Sequence, residues 1–156
     1  MISLRFESLA EAARAVAALR EATSVDVSRG TWSAARALHH CAISIECSVR
    51  GFPSVKPWLV RAIARPLVLA RFMRRGYMRH NLNTAVPGLD EPDLGPAIAP
   101  AVDHLLAAIA ELREANSVAP HAIFGTMSAA QYDRYHAMHI AEHASTFVVD
   151  GQPFAP

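Results

Sequence analysis

The sequence carries little charge and almost no excess of either sign. Lysine and arginine total 15 residues and aspartate and glutamate total 14, which gives a formal net charge of +1. This balance argues against a general nucleic-acid-binding protein. Long hydrophobic runs are also missing: the stretches 60–70 and 94–110 contain charged residues and fall short of the ~20 apolar residues that a membrane span requires. We therefore expect neither nucleic acid nor a membrane as a partner.

We also expect no secretory signal. The N-terminus has no basic segment followed by an apolar run and a small-residue cleavage site. The expected location is therefore the cytoplasm.

Cysteine is scarce, since the chain has only Cys41 and Cys47. Both fall in one predicted helix, where six residues of rise separate them by about 9 Å, beyond the roughly 7 Å limit between the Cα atoms of a disulfide. Two reduced thiols are therefore expected. Cys41 is either a small core residue or, because it neighbours His40, a reactive thiol at the metal or substrate site.

Apolar residues are abundant. Hydrophobic residues make up 52% of the 156 positions and charged residues only 19%. This composition is typical of a compact globular protein and not of a disordered one. A chain of this length suits one domain, which buries roughly 70% of the surface that the unfolded chain exposes. We expect a single domain over residues 1–156.

Apolar spacing and helix-capping signals predict five helices. Ser8 and Ser128 each precede a glutamate or glutamine by three residues, which is the capping-box pattern of a helix start. Ser33 is a further N-cap candidate, and Gly51 is a typical helix stop. The predicted helices cover about 8–22, 33–49, 58–75, 95–115 and 129–148.

The remaining segments complete an all-α prediction. Pro66 should kink or split the third helix because it removes a backbone donor. Residues 81–96 are rich in Pro, Gly, Asn and Asp and predict a long ordered loop, and residues 150–156 are read as a tail. No strand-period run is present. We expect a four-helix bundle in which the segment 58–75 lies in a crossover between the second and third bundle helices.

Three histidines suggest a metal site. His139 and His143 are four residues apart, which places them on one helical face about 5 to 6 Å apart at Cβ, close enough to share an ion. If the second and last helices are antiparallel, His40 lies level with a residue near 141. A parallel pairing would instead set it level with His136. Without a metal, the three would be hydrogen-bonded core or groove residues, and His39 is the alternative to His40.

A family resemblance supports the same residues. Trp32 and Ser33 are followed by an apolar helix with a histidine eight residues after the tryptophan, and the last helix bears HxxxH. This pattern, with the strings TWSAARALHHCAISIECSVRGFP, RGYMRHNL, VPG and PHAIFGTMSAAQYDRYHAMHIAEHASTF, resembles an uncharacterised branch of the DinB and YfiT-like superfamily, a domain of unknown function. The resemblance implies a bundle of that type with His40, His139 and His143 as metal ligands.

The resemblance also suggests an activity. Relatives include transferases and isomerases that use the thiols bacillithiol, mycothiol or glutathione. It therefore implies an enzyme in which zinc, nickel or iron activates a thiol or water against a small electrophilic substrate. Thiol transfer is favoured over hydrolysis. The alternatives are a metal-binding protein without turnover and a metal-free helical interaction protein, in one version a homodimer through an exposed apolar helix face.

Further residues have both a functional and an ordinary interpretation. Arg75 and His80 lie in a basic stretch that is either a solvated face or a contact for an anionic substrate. His121 either caps its loop or acts as an acid or base. Tyr132 and His136 share the face of His139, where they either orient substrate or pack against the second helix.

Overall fold

The computed structural model of the protein describes residues 4–156. It is mostly helical and contains one small antiparallel sheet. The helices are α1 (Leu9–Ala17), α2 (Ala34–Arg50), α3 (Trp58–Ala64), α4 (Ala70–Arg75), α5 (Ile98–Glu114) and α6 (Ala129–Ala144). A 3-10 turn, Ala18–Glu21, extends α1. The predicted helices are therefore present, with bounds that differ by a few residues.

The predicted helix caps are confirmed. The hydroxyl of Ser8 accepts a hydrogen bond from Glu11 N, and that of Ser33 accepts one from Arg36 N. At the start of α6, Ser128 and Gln131 form a reciprocal capping box, which satisfies two amide groups that a helix start leaves without partners. These caps fix where α2 and α6 begin, and so fix the height of the histidines along each helix.

Pro66 interrupts the helical segment between α3 and α4, as predicted. Residues Arg65–Leu69 form a π-helical turn that joins the two helices without a break in the chain. Proline has no N–H and its ring clashes with the preceding turn, and a wider turn accommodates both effects. Most of this segment is exposed, and Leu69 is its one buried residue among those described.

The core lies where α2 meets α5 and α6 and where α1 packs on α5 and α6. Its largest fully buried side chains include Leu9, Leu38, Leu105 and Ile140, one from each of these four helices. Burying a side chain of this size contributes about 1.5–3 kcal/mol. The helices therefore hold α2 and α6 side by side over most of their length.

The expectation of an all-α fold without strands is wrong. Strand β1 (Val25–Val27) pairs antiparallel with β2 (Phe147–Val149), which pairs antiparallel with β3 (Gln152–Pro153). The last predicted helix consequently ends at Ala144 and not near 148, and the predicted tail forms a hairpin. Asp150 and Gly151 occupy its turn with φ of 49° and 80°, the conformation for which an Asp-Gly pair is suited.

The segment between α4 and α5 is a long loop, as predicted. No helix or strand is assigned between Gly76 and Ala97, all of which the structure describes. It carries two side chains, His80 and Glu91, to the histidine cluster described below. Among residues 4–156, no helix is long and apolar enough to cross a membrane.

Candidate metal centre

The histidines of α2 and α6 meet because the two helices run antiparallel. Ser48, two turns after His40 on α2, contacts His136, one turn before His139 on α6. The opposite order of the two pairs is what an antiparallel arrangement requires. It sets His40 level with the space between His139 and His143, the arrangement that the sequence left open beside a parallel one.

The three imidazoles are placed to share one ion. His40, His139 and His143 each offer a ring nitrogen within 4.8 Å of the other two. His40 Nε2 and His139 Nε2 lie 3.3 Å apart. Two nitrogens bound to a tetrahedral ion at about 2.0–2.1 Å lie about 3.3 Å from each other. The donor set and its spacing therefore fit a zinc-like ion.

The rings of His139 and His143 are neutral. Burial lowers the pKa of both, and the charges of neighbouring histidines lower it further. Each ring also has a buried nitrogen without a hydrogen-bond partner among the described residues, Nδ1 in His139 and Nε2 in His143. Metal binding requires neutral imidazole, so burial prepares the ligands before an ion arrives.

Glu91 orients His40 from outside the trio. The Nδ1–H of His40 donates to Glu91 Oε1 at 2.8 Å, and this oxygen also accepts from Val86 N at 2.7 Å. Burial alone would raise the pKa of Glu91, but its hydrogen bond and attraction to His40 hold that pKa below its usual value. Because Nδ1 of His40 carries the proton that the carboxylate accepts, the free lone pair lies on Nε2. This nitrogen faces His139.

Replacing Glu91 should weaken metal binding without removing a ligand. We expect Glu91→Gln to lower zinc affinity about 10–100-fold, as is usual when a ligand histidine loses its carboxylate partner. Competition with a chromophoric chelator measures the change. Asp90→Asn, one residue away and exposed, is the matched control and should retain the affinity of the original protein. Equal affinities in both variants would show that Glu91 does not support the site.

The neighbours of His40 include His39 and Trp32. His39 faces α5 instead of the trio, with its Nδ1 2.8 Å from His104 Nδ1. Trp32 lies edge-on to His40 with ring centroids 5.1 Å apart, and its ring is parallel to that of His143 at 6.4 Å. The indole therefore shields one side of the trio, and His40, as favoured from the sequence, is the histidine of α2 that joins it.

A cavity of about 370 Å³ opens beside the trio. His40 and His139 form part of its wall, and most of the rest is apolar. The remaining lining comes from the π turn and α4, from the loop after α4, from the loop before α6 and from α6 itself: Val68, Phe72, Met78, Arg79, His80, Asn81, Thr84, Ala85, Ile123, Phe124 and Tyr135. A small molecule in this cavity would lie next to the histidine nitrogens.

Of the two residues predicted to contact an anionic substrate, one reaches the cavity. His80 lines it, whereas Arg75 is exposed and places its guanidinium 5.8 Å from the centre of the Tyr77 ring. The cavity's described lining contains a different arginine, Arg79, which is exposed at its edge. Arg79 is therefore the cation that the structure places next to the cavity.

Tyr132 and His121 are held by structural hydrogen bonds. The Tyr132 hydroxyl donates to Ala119 O at 2.8 Å. His121 Nδ1 accepts from the amides of Ile123 and Phe124, at 3.1 and 3.3 Å. The contacts of His121 are those of a loop cap, the bond of Tyr132 reaches the segment between α5 and α6 and not the second helix, and neither residue is among those lining the cavity.

His136 is fully buried one turn before His139. Its Nε2 lies 2.8 Å from Ser48 Oγ. Because the Ser48 hydroxyl donates to Ser44 O, the imidazole is the donor in this pair. Nδ1 of His136 has no hydrogen-bond partner among the described residues. This hydrogen bond therefore links α6 to α2 one turn before His139.

Cys41 packs in the main core and is 1% exposed. Burial, and secondarily the charge of Glu91, raises the pKa of its thiol. A protonated, inaccessible thiol is a poor nucleophile. Both cysteines are buried and free, as predicted.

Buried neutral histidines predict that the metal-free protein is sensitive to acid. Burial lowers the pKa of His121 from 6.5 to about 4 and, with neighbouring charges, that of His136 to about 3. Below pH 6.5 the unfolded chain takes up protons that the folded protein does not. Each such histidine should therefore reduce the free energy of unfolding by about 1.4 kcal/mol per pH unit as the pH falls toward its folded value.

Urea unfolding at a series of pH values between 7 and 4.5 measures this slope. His121→Asn keeps an acceptor for the loop amides and should remove one histidine's share of the slope. A slope that is the same with and without His121 would contradict the assignment.

Two residues of the site escaped the sequence analysis. Glu91 was overlooked, although metal-bound histidines generally require an acceptor and the predicted loop contains only three acidic residues, Asp90, Glu91 and Asp93. Tyr135 was overlooked because it lies beside the predicted ligand face of α6 and not on it. In the structure it lines the cavity next to His139. A search for carboxylates in the loop would have found the first, whereas no signal distinguished the second.

Comparison with known proteins gives a family without a known activity. Neither the curated proteins nor the solved structures contain a match to this chain. One family model matches residues 1–150, nearly the whole sequence, and includes all three histidines of the trio. The chain belongs to the family described as "Protein of unknown function (DUF1569)".

Proposed function

We propose that the protein is a divalent-metal-binding bundle of the DinB type whose ion serves an enzyme reaction on a small electrophilic substrate. The observation that carries this proposal is the buried trio His40, His139 and His143, with ring nitrogens within 4.8 Å of one another. Helices α1, α2, α5 and α6 supply the four-helix core of such a bundle, and the segment from α3 to α4 supplies its crossover.

Three neutral imidazoles suit zinc, nickel or iron and leave at least one position for another ligand. Because no carboxylate belongs to the trio, a bound ion keeps its positive charge and lowers the pKa of a thiol or water beside it. His40, held by Glu91, and the two histidines of α6 would supply this environment. Trp32 excludes solvent from one side, and the cavity admits a small molecule from another.

The cavity favours a substrate with an apolar body and an anionic group. Val68, Phe72 and Met78 provide apolar walls, whereas Arg79 stands at the exposed edge. Arginine binds carboxylate or phosphate with two parallel hydrogen bonds. A molecule oriented in this way would direct its apolar, electrophilic part toward His40 and His139.

We favour thiol transfer, with hydrolysis as the alternative. Cys41 is buried and protonated, so the attacking thiol must come from a small molecule. Bacillithiol and glutathione combine a thiol with carboxylates that suit a cationic cavity edge, whereas mycothiol carries no carboxylate. With water in place of the thiol, the same site would hydrolyse an ester or amide.

The proposal is tested by assaying metal-loaded protein with each of the three thiols and a panel of electrophiles, and with esters and amides. We expect turnover with a thiol that disappears in His139→Ala and after chelation. Activity on esters or amides alone would replace thiol transfer by hydrolysis. Metal bound without any turnover would reduce the protein to a binding module, and turnover unaffected by chelation would contradict a role for the ion.

A further inference from the structure

His80 is a fourth imidazole at the trio, and it comes from a loop and not from a helix. Its ring centroid lies 4.9 Å from that of His139 and 5.2 Å from that of His143. The rings within the trio are 5.0–5.3 Å apart. Two imidazoles bound to one tetrahedral ion have centroids about 5 Å apart, given metal–nitrogen bonds of about 2.0–2.1 Å. His80 thus has the spacing of a ligand from two members of the trio.

The hydrogen bonding of His80 points to a ligand as well. Both of its ring nitrogens are buried and have no hydrogen-bond partner within residues 4–156. Seven buried side-chain atoms of the described residues lack a partner, and four of them belong to His80, His139 and His143. Leaving such atoms without a partner is costly, and native proteins explain most of them by water, an ion or a functional role. An ion bound to Nε2 of His40 and of His139 would also give a partner to Nε2 of His143 and to one ring nitrogen of His80.

We propose that His80 is a fourth, exchangeable ligand of the metal centre. This inference rests on the proposed metal site and adds to it the means by which substrate gains access. His80 is only partly buried and belongs to the loop after α4. It lines the cavity beside the trio and also a second, polar cavity of about 390 Å³ that contains Arg29, Arg79 and Glu142. The first cavity therefore exposes His80 beside His40 and His139, whereas the second reaches the cluster through His80.

We expect His80, and not the other three histidines, to leave the ion, because its ring is held less firmly than theirs. His139 and His143 are fixed by α6, and His40 is fixed by α2 and by its hydrogen bond to Glu91. His80 has no hydrogen bond that fixes its ring among the described residues. It is therefore the ligand that an incoming thiolate or water replaces: one imidazole leaves the ion as one new ligand binds, and the imidazole stays neutral.

The Co²⁺-substituted protein tests this assignment, because its visible absorption reports the ligands. We expect His80→Ala to retain stoichiometric Co²⁺, to change the visible bands and to bind the ion at least about tenfold more weakly. Free imidazole should restore the original spectrum. Sodium azide should bind the variant at lower concentration than the original protein, since no imidazole has to be displaced. His104→Ala, a half-buried histidine outside the cluster, is the control.

The outcomes separate this inference from the metal site itself. If His80→Ala has the spectrum and affinity of the original protein whereas His139→Ala has lost the ion, the trio stands and the ligand role of His80 is overturned. If the original protein itself binds no Co²⁺ or Zn²⁺, both proposals fail. A spectral change that imidazole reverses supports His80 as a ligand.

A second and independent observation concerns the outer face of α3, the π turn and α4. Its outward side chains are apolar: Trp58 is 71% exposed and Leu67 is 65% exposed. Leu59, Ile63 and Leu67 recur every four residues and form one stripe, which we call the outer stripe. Arg61 and Arg65 instead lie partly buried on the inner side, where Arg65 donates to the carbonyl of Thr126. An exposed apolar stripe of this length indicates an interaction surface.

The segment of the sequence that contains the outer stripe carries charge of one sign. Residues 47–89 contain eight lysines and arginines and no aspartate or glutamate. The remainder of the chain has seven basic and fourteen acidic residues, so charges of about +8 and −7 combine into the net charge of +1. Lys56, Arg71, Arg74 and Arg75 are exposed along or next to the stripe. The even charge of the whole sequence conceals this separation.

We infer that the outer stripe docks on an anionic lipid surface. A helix with exposed tryptophan and aliphatic residues beside arginine and lysine has the composition of helices that lie in the interface of a bilayer. A symmetric pair of copies would bring two strongly positive faces together without an acidic residue from 47–89 to pair with them. Lipid headgroups supply the missing negative charge. Val68 and Phe72 on the same segment line the cavity, so docking would bring the cavity close to the bilayer.

Flotation with vesicles tests this surface. We expect the protein to bind phosphatidylglycerol–phosphatidylcholine vesicles, to ignore pure phosphatidylcholine and to dissociate at high salt. The double variants Leu59→Ser/Ile63→Ser and Arg71→Gln/Arg74→Gln should each lose binding. Leu94→Ser and Arg113→Gln, an exposed leucine and an exposed arginine elsewhere, are the matched controls and should bind as before.

Three results would overturn the lipid assignment. One is the absence of vesicle binding, and another is vesicle binding that the stripe variants retain. The third is a stable dimer in analytical ultracentrifugation that the Leu59→Ser/Ile63→Ser variant dissociates, because the stripe would then be an interface between copies of this chain.

Discussion

His139→Ala should reduce the affinity for zinc by more than about 100-fold, beyond the loss expected for a supporting residue outside the ligand set. His139 lies about 5 Å from His40, His80 and His143 by ring centroid. Its removal takes away one of the three rings whose nitrogens lie within 4.8 Å of one another, and leaves the loop residue His80, whose ring no hydrogen bond from the described residues holds, to complete the site. Elemental analysis of protein purified without an affinity tag, together with chelator competition, measures the loss.

The variant should fold, because among the described residues the ring of His139 makes a single hydrogen bond, between its Nε2 and Nε2 of His40. Its Nδ1 is buried without a hydrogen-bond partner among the described residues, so the substitution removes an unsatisfied group and leaves a small cavity. Far-ultraviolet circular dichroism checks the fold. His104→Ala is the control and should keep its metal, because His104 contacts His39 and Glu46 away from the trio. Retention of stoichiometric zinc by His139→Ala would refute the ligand set.

Removing the metal should lower the Tm by about 8–16 °C. An ion that binds only the folded protein, at about a thousand times its Kd, stabilises it by about 4 kcal/mol. For a chain of this length, 1 kcal/mol shifts Tm by about 2–4 °C. Calorimetry before and after dialysis against a chelator gives the difference, and adding back one equivalent of zinc should restore the original value.

The same experiment on His139→Ala provides the control. Its Tm should be nearly the same with and without chelator, because it has no site to empty. A Tm of the original protein that does not respond to chelation and zinc would mean that the four rings hold no ion with useful affinity.

The sequence predicted helices well where capping and apolar spacing agree. Ser33 and Ser128 begin α2 and α6 as expected, and those two starting points fix the position of His40 along α2 and of His139 and His143 along α6. The choice between antiparallel and parallel pairing did not follow. It depends on packing between distant segments, which the structure provides through the pair Ser48 and His136.

The C-terminal hairpin was missed, although its turn sequence was visible. Asp150-Gly151 is a strong turn signal, but the flanking strands are only two or three residues long and show no alternation that periodicity could detect. The other partner of the first of these strands, Val25–Val27, lies about 120 residues earlier, so its contribution belongs to tertiary structure.

The parts of the site on loops were the hardest to predict. His80 was identified as a residue near the bundle mouth, but the sequence could not show that its ring lies against His139 and His143. Nor could it single out Arg79 over Arg75, since loop conformation and not periodicity decides which arginine reaches the cavity. The outward direction of Trp58 and Leu67 was equally hidden, because a helix with apolar residues on one side and arginines on the other is expected to turn the apolar side inward.

The most direct test is a crystal structure of zinc-loaded protein, with anomalous diffraction recorded on both sides of the zinc absorption edge. We predict one strong anomalous peak at about 2.0–2.1 Å from a ring nitrogen of each of His40, His139 and His143. A peak elsewhere in the molecule, or no peak between these three rings in protein that contains stoichiometric zinc, would contradict the account.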